Sequence, residues 1–600
     1  MADVPAIQDH AAIGDGRSVA LVARDGTIDW LCWPRVESPA VFASLLDPER
    51  GGAWSIGPTT AARVSRRYLP DTNVLETRHD TASGTLVVTD AMTVASEDVK
   101  RREPLPDHEL LRIVACTAGE VDVVVRYAPK PDYGRARVRL TATRLGLRLA
   151  HGSELYTLRG DRPLAIEGDT ASARFTLAAG DRVAFSLCYD AHQPALLVPL
   201  GTHAVARMAR TTRWWQDWIA DLAYDGTYRD AVARSMLAVK LLSFAPSGAI
   251  IAAPTTSLPE TIGGDRNWDY RFCWLRDAAM TANAALSVGY TAEASAFCDW
   301  LLHTTRLTRP ELRILYDVYG NLPSDERELP LAGYRGSRPV RERNAAATQL
   351  QLDCYGEVID ACYQNVLHGR VVDRETEAML ADFGRFVCTH WQLPDRGIWE
   401  SRGAPRHYTV SKVLCWVALD RLIRIAERGC RRLPVRELAA HRDRIAAAIH
   451  DHGWNPRLAS YTTTFDDDTV DASLLLLGWY GFERPDAPRM RSTWQRLRAR
   501  LAAGPGLLYR YESVVGREGA FAICGLWAAE LLARGMGTTG EARAWLDAIL
   551  GYANDVGLLG EEIDPATGDA LGNFPQAYSH VGVINAALAL AGRALRQEAA

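Results

Sequence analysis

The hydrophobic pattern of this chain changes its period near residue 205, and that change limits the folds the chain can adopt. Before residue 205, short runs alternate between apolar and polar residues, with Asp and Gly between them. Such alternation is typical of strands with one buried face. The clearest runs cover residues 18–22, 85–89, 121–127, 137–149, 172–177 and 182–188. This series predicts an N-terminal antiparallel β-sandwich.

After residue 205 the apolar residues recur at helical spacing. Residues 205–224 have the pattern of a linking helix, and twelve helical segments follow it. The twelve segments cover residues 228–245, 276–288, 291–306, 347–368, 372–392, 407–428, 434–452, 469–479, 485–502, 517–534, 537–553 and 576–597. The connections after the odd-numbered segments are long or carry unusual residues, whereas those after the even-numbered segments are short.

This alternation of connection length predicts how the helices are arranged. In a barrel of up-and-down helices, alternate connections lie at opposite ends, so all the long loops gather on one face. We therefore predict a multidomain β + α chain in which the β-sandwich is followed by an (α/α)6 barrel. The predicted domains are residues 1–204 for the sandwich, 205–227 for a helical linker and 228–600 for a catalytic barrel.

Composition excludes several classes of function. The net charge is −5, from 68 basic and 73 acidic residues, and no basic block or tail indicates nucleic-acid binding. No uncharged apolar run approaches the about 20 residues that a membrane span needs, and the first residues lack the features of a secretory signal. The 11 Cys residues are scattered and form no CxxC pair, which is typical of reduced thiols. We therefore expect a cytoplasmic protein, as a monomer or a homo-oligomer.

Residues 267–277 combine four aromatic residues with an Arg276–Asp277 pair at the start of the second helical segment. An ion pair at that point offers paired hydrogen bonds to sugar hydroxyls. The alternative for Asp277 is a helix cap, which Asp favours. Trp268 and Trp399 are candidates for stacking on a sugar ring, although a core position is the commoner place for any single aromatic residue.

Glu400 follows Trp399 in the long loop after the fifth helical segment. A carboxyl beside an aromatic surface is suited to act as a general acid, because a poorly solvated carboxyl keeps its proton to a higher pH. The alternative is a solvated loop glutamate that pairs with Arg396 or Arg402.

Glu561 and Glu562 lie in the long loop after the eleventh helical segment, on the same predicted face as Glu400. Either could act as a general base for water, and the alternative is ordinary loop acidity. Inverting glycosidases hold their two carboxyls about 6.5–9.5 Å apart to accommodate that water, whereas retaining enzymes hold them about 5–5.5 Å apart. The sequence does not fix this separation.

An arginine-dense loop covers residues 333–343 and includes Arg338 and Arg341. It has the donors to line the subsite of a leaving sugar, and it is equally compatible with a solvated charged loop. The Gly14–Gly16 pair lacks the third glycine of a dinucleotide site. Residues 466–468 lack the spacing of Ca²⁺ ligands. We therefore predict no cofactor and no metal.

Several segments resemble glycoside hydrolase family 15, the glucoamylase family, and look closest to its bacterial trehalase-like branch with an N-terminal β-sandwich. The resemblance covers nearly the whole chain, through residues 13–17, 26–32, 266–281, 333–357, 397–420, 471–477 and 557–586. Two positions depart from the family pattern. Gly560 stands where Ser is usual, and Val410 stands where a polar residue is expected.

The resemblance implies a role for each candidate residue. Glu400 corresponds to the general acid, Glu561 corresponds to the general base, and Arg276 with Asp277 corresponds to the pair that holds the terminal glucose. The same resemblance implies hydrolysis of terminal α-glucosides with inversion.

We therefore expect an inverting, exo-acting α-glucoside hydrolase that releases glucose from trehalose, with Trp268 and Trp399 as walls and with Arg338, Arg341 and Glu562 as further substrate contacts. Two alternatives stay open. One is a glucoamylase- or isomaltose-type glucohydrolase of short α-glucans, and the other is a catalytically silent sugar-binding protein.

Overall fold

The computed structural model describes residues 4–191, 197–306, 308–430 and 432–593. Strands dominate the described chain up to residue 190, and helices dominate it from residue 202 onwards. None of the described helices is both long and apolar enough to cross a membrane.

Fifteen antiparallel strands form the N-terminal region of the described chain. They are β1 (His10–Gly14), β2 (Val19–Ala23), β3 (Ile28–Cys32), β4 (Ala40–Phe42), β5 (Ala53–Pro58), β6 (Arg63–Tyr68), β7 (Leu75–Asp80), β8 (Gly84–Met92), β9 (Glu109–Ala128), β10 (Leu140–Thr143), β11 (Gly146–His151), β12 (Glu154–Gly160), β13 (Ala165–Glu167), β14 (Thr170–Ala178) and β15 (Arg182–Asp190). The main path of pairing is β1-β2-β3-β5-β9-β15-β12-β11-β10.

Strand β9 joins the two layers of this region. Its first half pairs with β8 and β15, and its second half pairs with β5 and β14. Apolar side chains from both layers fill one core, which includes Trp30, Trp54, Leu111 and Val123. The predicted antiparallel β-sandwich is thus confirmed.

One predicted run is wrong in detail, because residues 137–149 fold as the hairpin β10–β11 and not as one strand. Leu140 pairs with Leu149 across it. The Thr143 hydroxyl accepts from the backbone N–H of Leu145 at 3.1 Å and donates to the Gly146 carbonyl at 2.8 Å. Gly146 has φ +124°, which favours glycine. The alternation of apolar residues continues across the turn, so the pattern did not reveal it.

Helix α1 (Glu97–Arg102) lies within the strand region, and α2 (Thr202–Ile219) follows it. The next twelve helices match the twelve predicted segments in order. They are α3 (Arg229–Leu241), α4 (Leu275–Ser287), α5 (Thr291–Thr305), α6 (Asp353–Leu367), α7 (Arg374–His390), α8 (Thr409–Glu427), α9 (Val435–Ala448), α10 (Leu476–Trp479), α11 (Pro488–Leu501), α12 (Ala522–Leu531), α13 (Thr539–Leu550) and α14 (Ala577–Leu590). Residues 594–597 of the last predicted segment lie outside the described residues.

The even-numbered helices from α4 to α14 form a closed inner ring, in which each contacts the next and α14 contacts α4. Helices α12 and α14 are apolar around almost their whole circumference, as expected of helices surrounded by protein. The odd-numbered helices lie outside them. Each long loop leads from an outer helix into an inner one, so all six long loops meet at one mouth. The predicted (α/α)6 barrel is therefore confirmed.

Short strand pairs brace these mouth loops. They are β16 (Cys273–Trp274) with β17 (Leu315–Tyr316), β18 (Arg327–Leu329) with β19 (Val340–Glu342), β20 (Trp454–Asn455) with β21 (Ser460–Tyr461), β22 (Ala502–Gly504) with β23 (Leu507–Leu508), and β24 (Ala520–Phe521) with β25 (Glu562–Ile563) and β26 (Ala570–Leu571). The sandwich supports the same loops. The Trp30 indole donates to the Pro254 carbonyl at 2.8 Å, and Arg271 donates to the Ser38 carbonyl at 2.9 Å.

Candidate active site

A cavity of about 730 Å³, here called the mouth cavity, opens where the six loops meet. Every one of the six long connections, or the inner helix that follows it, contributes to its wall. The lining residues are Glu260, Asp265, Arg266, Trp268, Tyr270, Arg276, Arg341, Asn344, Ile398, Trp399, Glu400, Ser401, Arg402, Arg406, Tyr408, Thr463, Thr469, Val470, Asp471, Arg510, Tyr511, Glu512, Ser513, Phe521 and Tyr578.

Glu400 lines this cavity on the α7–α8 loop, and its backbone has φ +55°. The Trp274 indole N–H donates to Glu400 Oε1 at 2.7 Å, and Arg276 Nη2 lies 3.5 Å from the same oxygen. The pairing with Arg402 considered above does not form, because Arg402 pairs with Glu326. Glu400 is therefore aimed at the barrel interior, with its side chain 19% exposed.

Arg276 and Asp277 form the predicted ion pair in the first turn of α4, with 3.1 Å between Arg276 Nη2 and Asp277 Oδ2. Arg276 also donates to the Ile398 carbonyl at 2.5 Å and lies 5.5 Å from the centre of the Tyr578 ring. The residue that caps α4 is Trp274, so Asp277 is not the cap. Burial raises the pKa of Asp277 to about 6, against the opposing effect of Arg276. Arg276 lines the cavity, and Asp277 lies behind it.

Glu561 lies behind the cavity wall, against Tyr270, and is 1% exposed. Its Oε2 accepts from the backbone N–H of Asn573 at 3.4 Å. The pKa of Glu561 is raised to about 8, chiefly by burial and also by the nearby Glu260 carboxylate, whereas Arg510 opposes this rise. Tyr270, which hydrogen-bonds with Glu561, lines the cavity beside it.

Glu562 is fully buried and is not among the residues that line the mouth cavity, so the substrate contact expected of it stays a prediction. Successive residues of a strand point to opposite faces, which turns Glu562 away from Glu561. It lies 3.4 Å from Arg510 Nη2. Burial raises the pKa of Glu562 well above its usual value.

Arg510 and Glu260 line the cavity but were missed by the sequence reasoning. Arg510 Nη2 lies 2.7 Å from Glu260 and 2.9 Å from Glu518, and its guanidinium is 5.9 Å from the centre of the Trp399 ring. Glu260, Glu518 and Glu562 also form a group of carboxylates with donor atoms within 4.8 Å of one another. The Arg510 guanidinium pairs with all three and balances part of their charge.

The two predicted tryptophan walls differ in their surroundings. Trp399 packs edge-on against Phe521, with ring centres 5.7 Å apart, and faces the cavity. The ring of Trp268 also lines the cavity, but two guanidiniums lie over it, those of Arg341 and Arg402. The main role of the Trp268 ring in this structure is therefore to hold the side chains of Arg341 and Arg402.

The arginine-dense loop at residues 333–343 has one arginine in the cavity wall and another in solvent, so it matches each of the two expected roles in part. Arg341 in β19 lines the cavity, whereas Arg338 is exposed, donates to the Ala332 carbonyl at 3.0 Å and lies outside the lining. The physical reason is the turn before β19, which packs towards the sandwich: the Tyr334 hydroxyl donates to the Pro5 carbonyl at 2.9 Å. Val410 is buried in α8 and also lies outside the lining.

Replacing Glu260 with Gln is expected to lower the pKa of Glu561, because it removes a neighbouring negative charge. A base works in its deprotonated form, so activity falls as the pH drops through the pKa of the base. The acidic limb of kcat/KM against pH should lie near pH 8 in the wild type and at lower pH in Glu260→Gln.

Glu518→Gln is the matched control, because Glu518 also pairs with Arg510 but is not among the main charges acting on Glu561. An acidic limb that stays in place in Glu260→Gln, or that moves equally in both variants, contradicts this interpretation.

Comparison with known proteins agrees with this geometry. The family model described as "Glycosyl hydrolases family 15" matches residues 226–546 and 536–588, and the model "Trehalase-like, N-terminal" matches residues 2–179. The trehalase of Mycobacterium tuberculosis is 36% identical over 97% of this chain and 89% of its own length. The trehalase of Thermoplasma volcanium is 35% identical over 97% of this chain and 93% of its own length.

Among solved structures, a bacterial glucoamylase complexed with acarbose has the same fold, with a TM-score of 0.72 and 12% identity over 99% of this chain and 95% of that one. The family match and the trehalase relatives show that the protein is a glycoside hydrolase. The chain belongs to the glycosyl hydrolases family 15, with a trehalase-like N-terminal domain.

Proposed function

We propose that this glycoside hydrolase cleaves trehalose into two molecules of glucose. Two full-length relatives that are 35–36% identical bear the name trehalase. The observation that carries the proposal is the placing of Glu400, which lines the mouth cavity between the Trp274 indole and the Arg276 guanidinium. That arrangement supports an acid aimed at a glycosidic oxygen, with the Arg276–Asp277 pair below it for the terminal glucose.

In the proposed reaction, Glu400 gives its proton to the glycosidic oxygen while the bond from that oxygen to the anomeric carbon breaks. A water attacks the anomeric carbon from the opposite side, and Glu561 takes the proton that the water loses. Asn573 and Tyr270 orient the Glu561 carboxyl. At the end of the reaction Glu400 is deprotonated and Glu561 is protonated, and proton transfer through solvent restores both carboxyls.

The substrate prediction is that kcat/KM is higher for trehalose than for maltose, with little activity on soluble starch. Arg266, Arg341 and Arg402 are among the six arginines that line the cavity and supply many fixed donors. Donors that stay unpaired when buried cost about 1–3 kcal/mol each, so they favour a compact, fully hydroxylated leaving sugar. Product analysis against trehalose, maltose, isomaltose and maltotriose provides the test. Faster turnover of isomaltose or maltotriose favours the short α-glucan alternative, and binding without turnover favours the silent sugar-binding protein.

The stereochemical prediction is that the glucose unit attacked by water first appears as the β anomer. Single displacement by water inverts the anomeric carbon. Proton NMR of the first-formed product from α-glucosyl fluoride gives the answer directly, because only one sugar is released. Initial α-glucose would require a covalent intermediate, with Glu561 as its nucleophile. The cytoplasmic location and the oligomeric state stay predictions.

A further inference from the structure

Two arginine guanidiniums lie over the ring of Trp268 at the rim of the mouth cavity. The guanidinium carbon of Arg341 lies 4.5 Å from the ring centre, and that of Arg402 lies 4.6 Å from it. Both distances are within the range of cation–π attraction. The two arginines come from different mouth loops, so Trp268 brings together side chains that are far apart in the sequence.

Glu326, from the same α5–α6 connection as Arg341, contacts both arginines. Its Oε1 lies 3.3 Å from Arg341 Nε, and its Oε2 lies 3.2 Å from Arg402 Nη2. The carboxylate is held in turn by the backbone N–H of Ala345, at 3.0 Å. The Glu326 side chain is 17% exposed, so these ion pairs are only partly screened by water.

The arginine pair and the candidate acid occupy opposite ends of one short loop segment. Glu400 turns inward to Trp274 and Arg276, whereas Arg402, two residues later, turns outward to Trp268. The Arg402 side chain is 48% exposed. A disaccharide with its glycosidic oxygen at Glu400 and its terminal glucose at Arg276 therefore places its leaving sugar beside Arg402.

Both arginines keep donors that no side chain or backbone group in the described residues uses. Arg341 engages its Nε with Glu326 and its Nη1 with the carbonyls of Asp265 and Asn267, which leaves Nη2. Arg402 engages Nη2 with Glu326, which leaves Nε and Nη1. A guanidinium presents such donors in one plane, which suits neighbouring hydroxyls on a sugar ring.

We propose that Arg402, held by Glu326 and Trp268, is a specificity-determining residue that recognises the hydroxyls of the leaving sugar together with Arg341. This inference rests on the proposed function, because it assigns the outer half of the same cavity to the second glucose of the disaccharide.

The test compares Arg402→Ala with the wild type on two substrates, trehalose and α-glucosyl fluoride. The fluoride has the same glucose but no leaving sugar. We expect kcat/KM for trehalose to fall by about 10–100-fold, the range for losing charge-assisted hydrogen bonds. We expect kcat/KM for α-glucosyl fluoride to change by less than about 3-fold. Glu326→Gln, which weakens the hold on Arg402, should give a smaller loss with the same substrate dependence.

Arg385→Ala is the matched control, because Arg385 is an exposed arginine on α7 that pairs with Asp382 outside the cavity. Arg385→Ala should leave kcat/KM unchanged for both trehalose and α-glucosyl fluoride. An equal loss on both substrates in Arg402→Ala shows that Arg402 only steadies the loop of the acid, and no loss on either shows that it has no role; both outcomes overturn the inference. If the wild type cleaves another disaccharide and not trehalose, the trehalose proposal fails, and the same comparison on that disaccharide still tests Arg402.

Discussion

Replacing Glu400 with Gln is expected to lower kcat for trehalose by about 10²–10⁴-fold, the usual contribution of a general acid. The amide keeps the shape of the side chain and can still accept from the Trp274 indole, which lies 2.7 Å from Glu400 Oε1. It cannot give a proton to the glycosidic oxygen. A glucose leaving group departs poorly as an alkoxide, so the loss falls on bond cleavage and leaves substrate binding nearly intact.

A change of leaving group distinguishes acid catalysis by Glu400 from a purely structural role of this residue. Fluoride departs without protonation, so Glu400→Gln should retain most of its activity on α-glucosyl fluoride. Thermal unfolding followed by circular dichroism should give a midpoint close to that of the wild type, because Glu400 lies on a loop and is partly exposed. Equal losses on trehalose and on α-glucosyl fluoride would assign Glu400 to positioning and not to acid catalysis.

The barrel was predictable from sequence because its signal is repeated. Each of the twelve helices has apolar residues at helical spacing, and the alternation of short and long connections recurs many times along the chain. The same alternation placed Glu400 and the loop of Glu561 at one mouth. An error of several residues at any helix end, such as the start of α12 at Ala522, leaves that conclusion unchanged.

Isolated loop residues carry no such repeated signal, and here the sequence reasoning stopped short. Arg510 and Glu260 are 250 positions apart in the chain, yet their side chains lie 2.7 Å apart at the cavity wall. Nothing local to either residue distinguishes it from a solvated charge. Arg338 and Arg341 show the reverse case, because two arginines three residues apart in one loop end on different sides of it.

The positions of Glu561 and Glu562 show why neighbouring residues of one type need a structure to be told apart. In sequence they are an undivided acidic pair. In the fold Glu561 immediately precedes β25 and Glu562 begins it, so one carboxyl turns towards Tyr270 and the other towards Arg510. The side of the strand therefore decides which carboxyl meets Tyr270 at the cavity wall.

Glu561→Gln is therefore expected to lower kcat by about 10²–10⁴-fold, whereas Glu562→Gln should cost much less. Burial raises the pKa of Glu562 well above its usual value, and its side chain lies outside the cavity lining, so replacement by an amide changes the mouth cavity little. Glu561 must lose its proton to accept one from water, and an amide cannot. The contrast should be greatest above pH 8, where the wild-type Glu561 is ionised, and it should narrow at lower pH, where protonation already silences the wild type.

Unlike Glu400→Gln, the Glu561→Gln variant should lose activity on trehalose and on α-glucosyl fluoride alike, because both reactions need an activated water whatever the leaving group. Initial rates of both substrates across the pH range, with midpoints of thermal unfolding for each variant, measure this directly. A dead Glu562→Gln beside an active Glu561→Gln would reverse the assignment. In that case Glu562 would have to act on a water held beside Arg510, which lines the cavity and lies 3.4 Å from the Glu562 carboxylate.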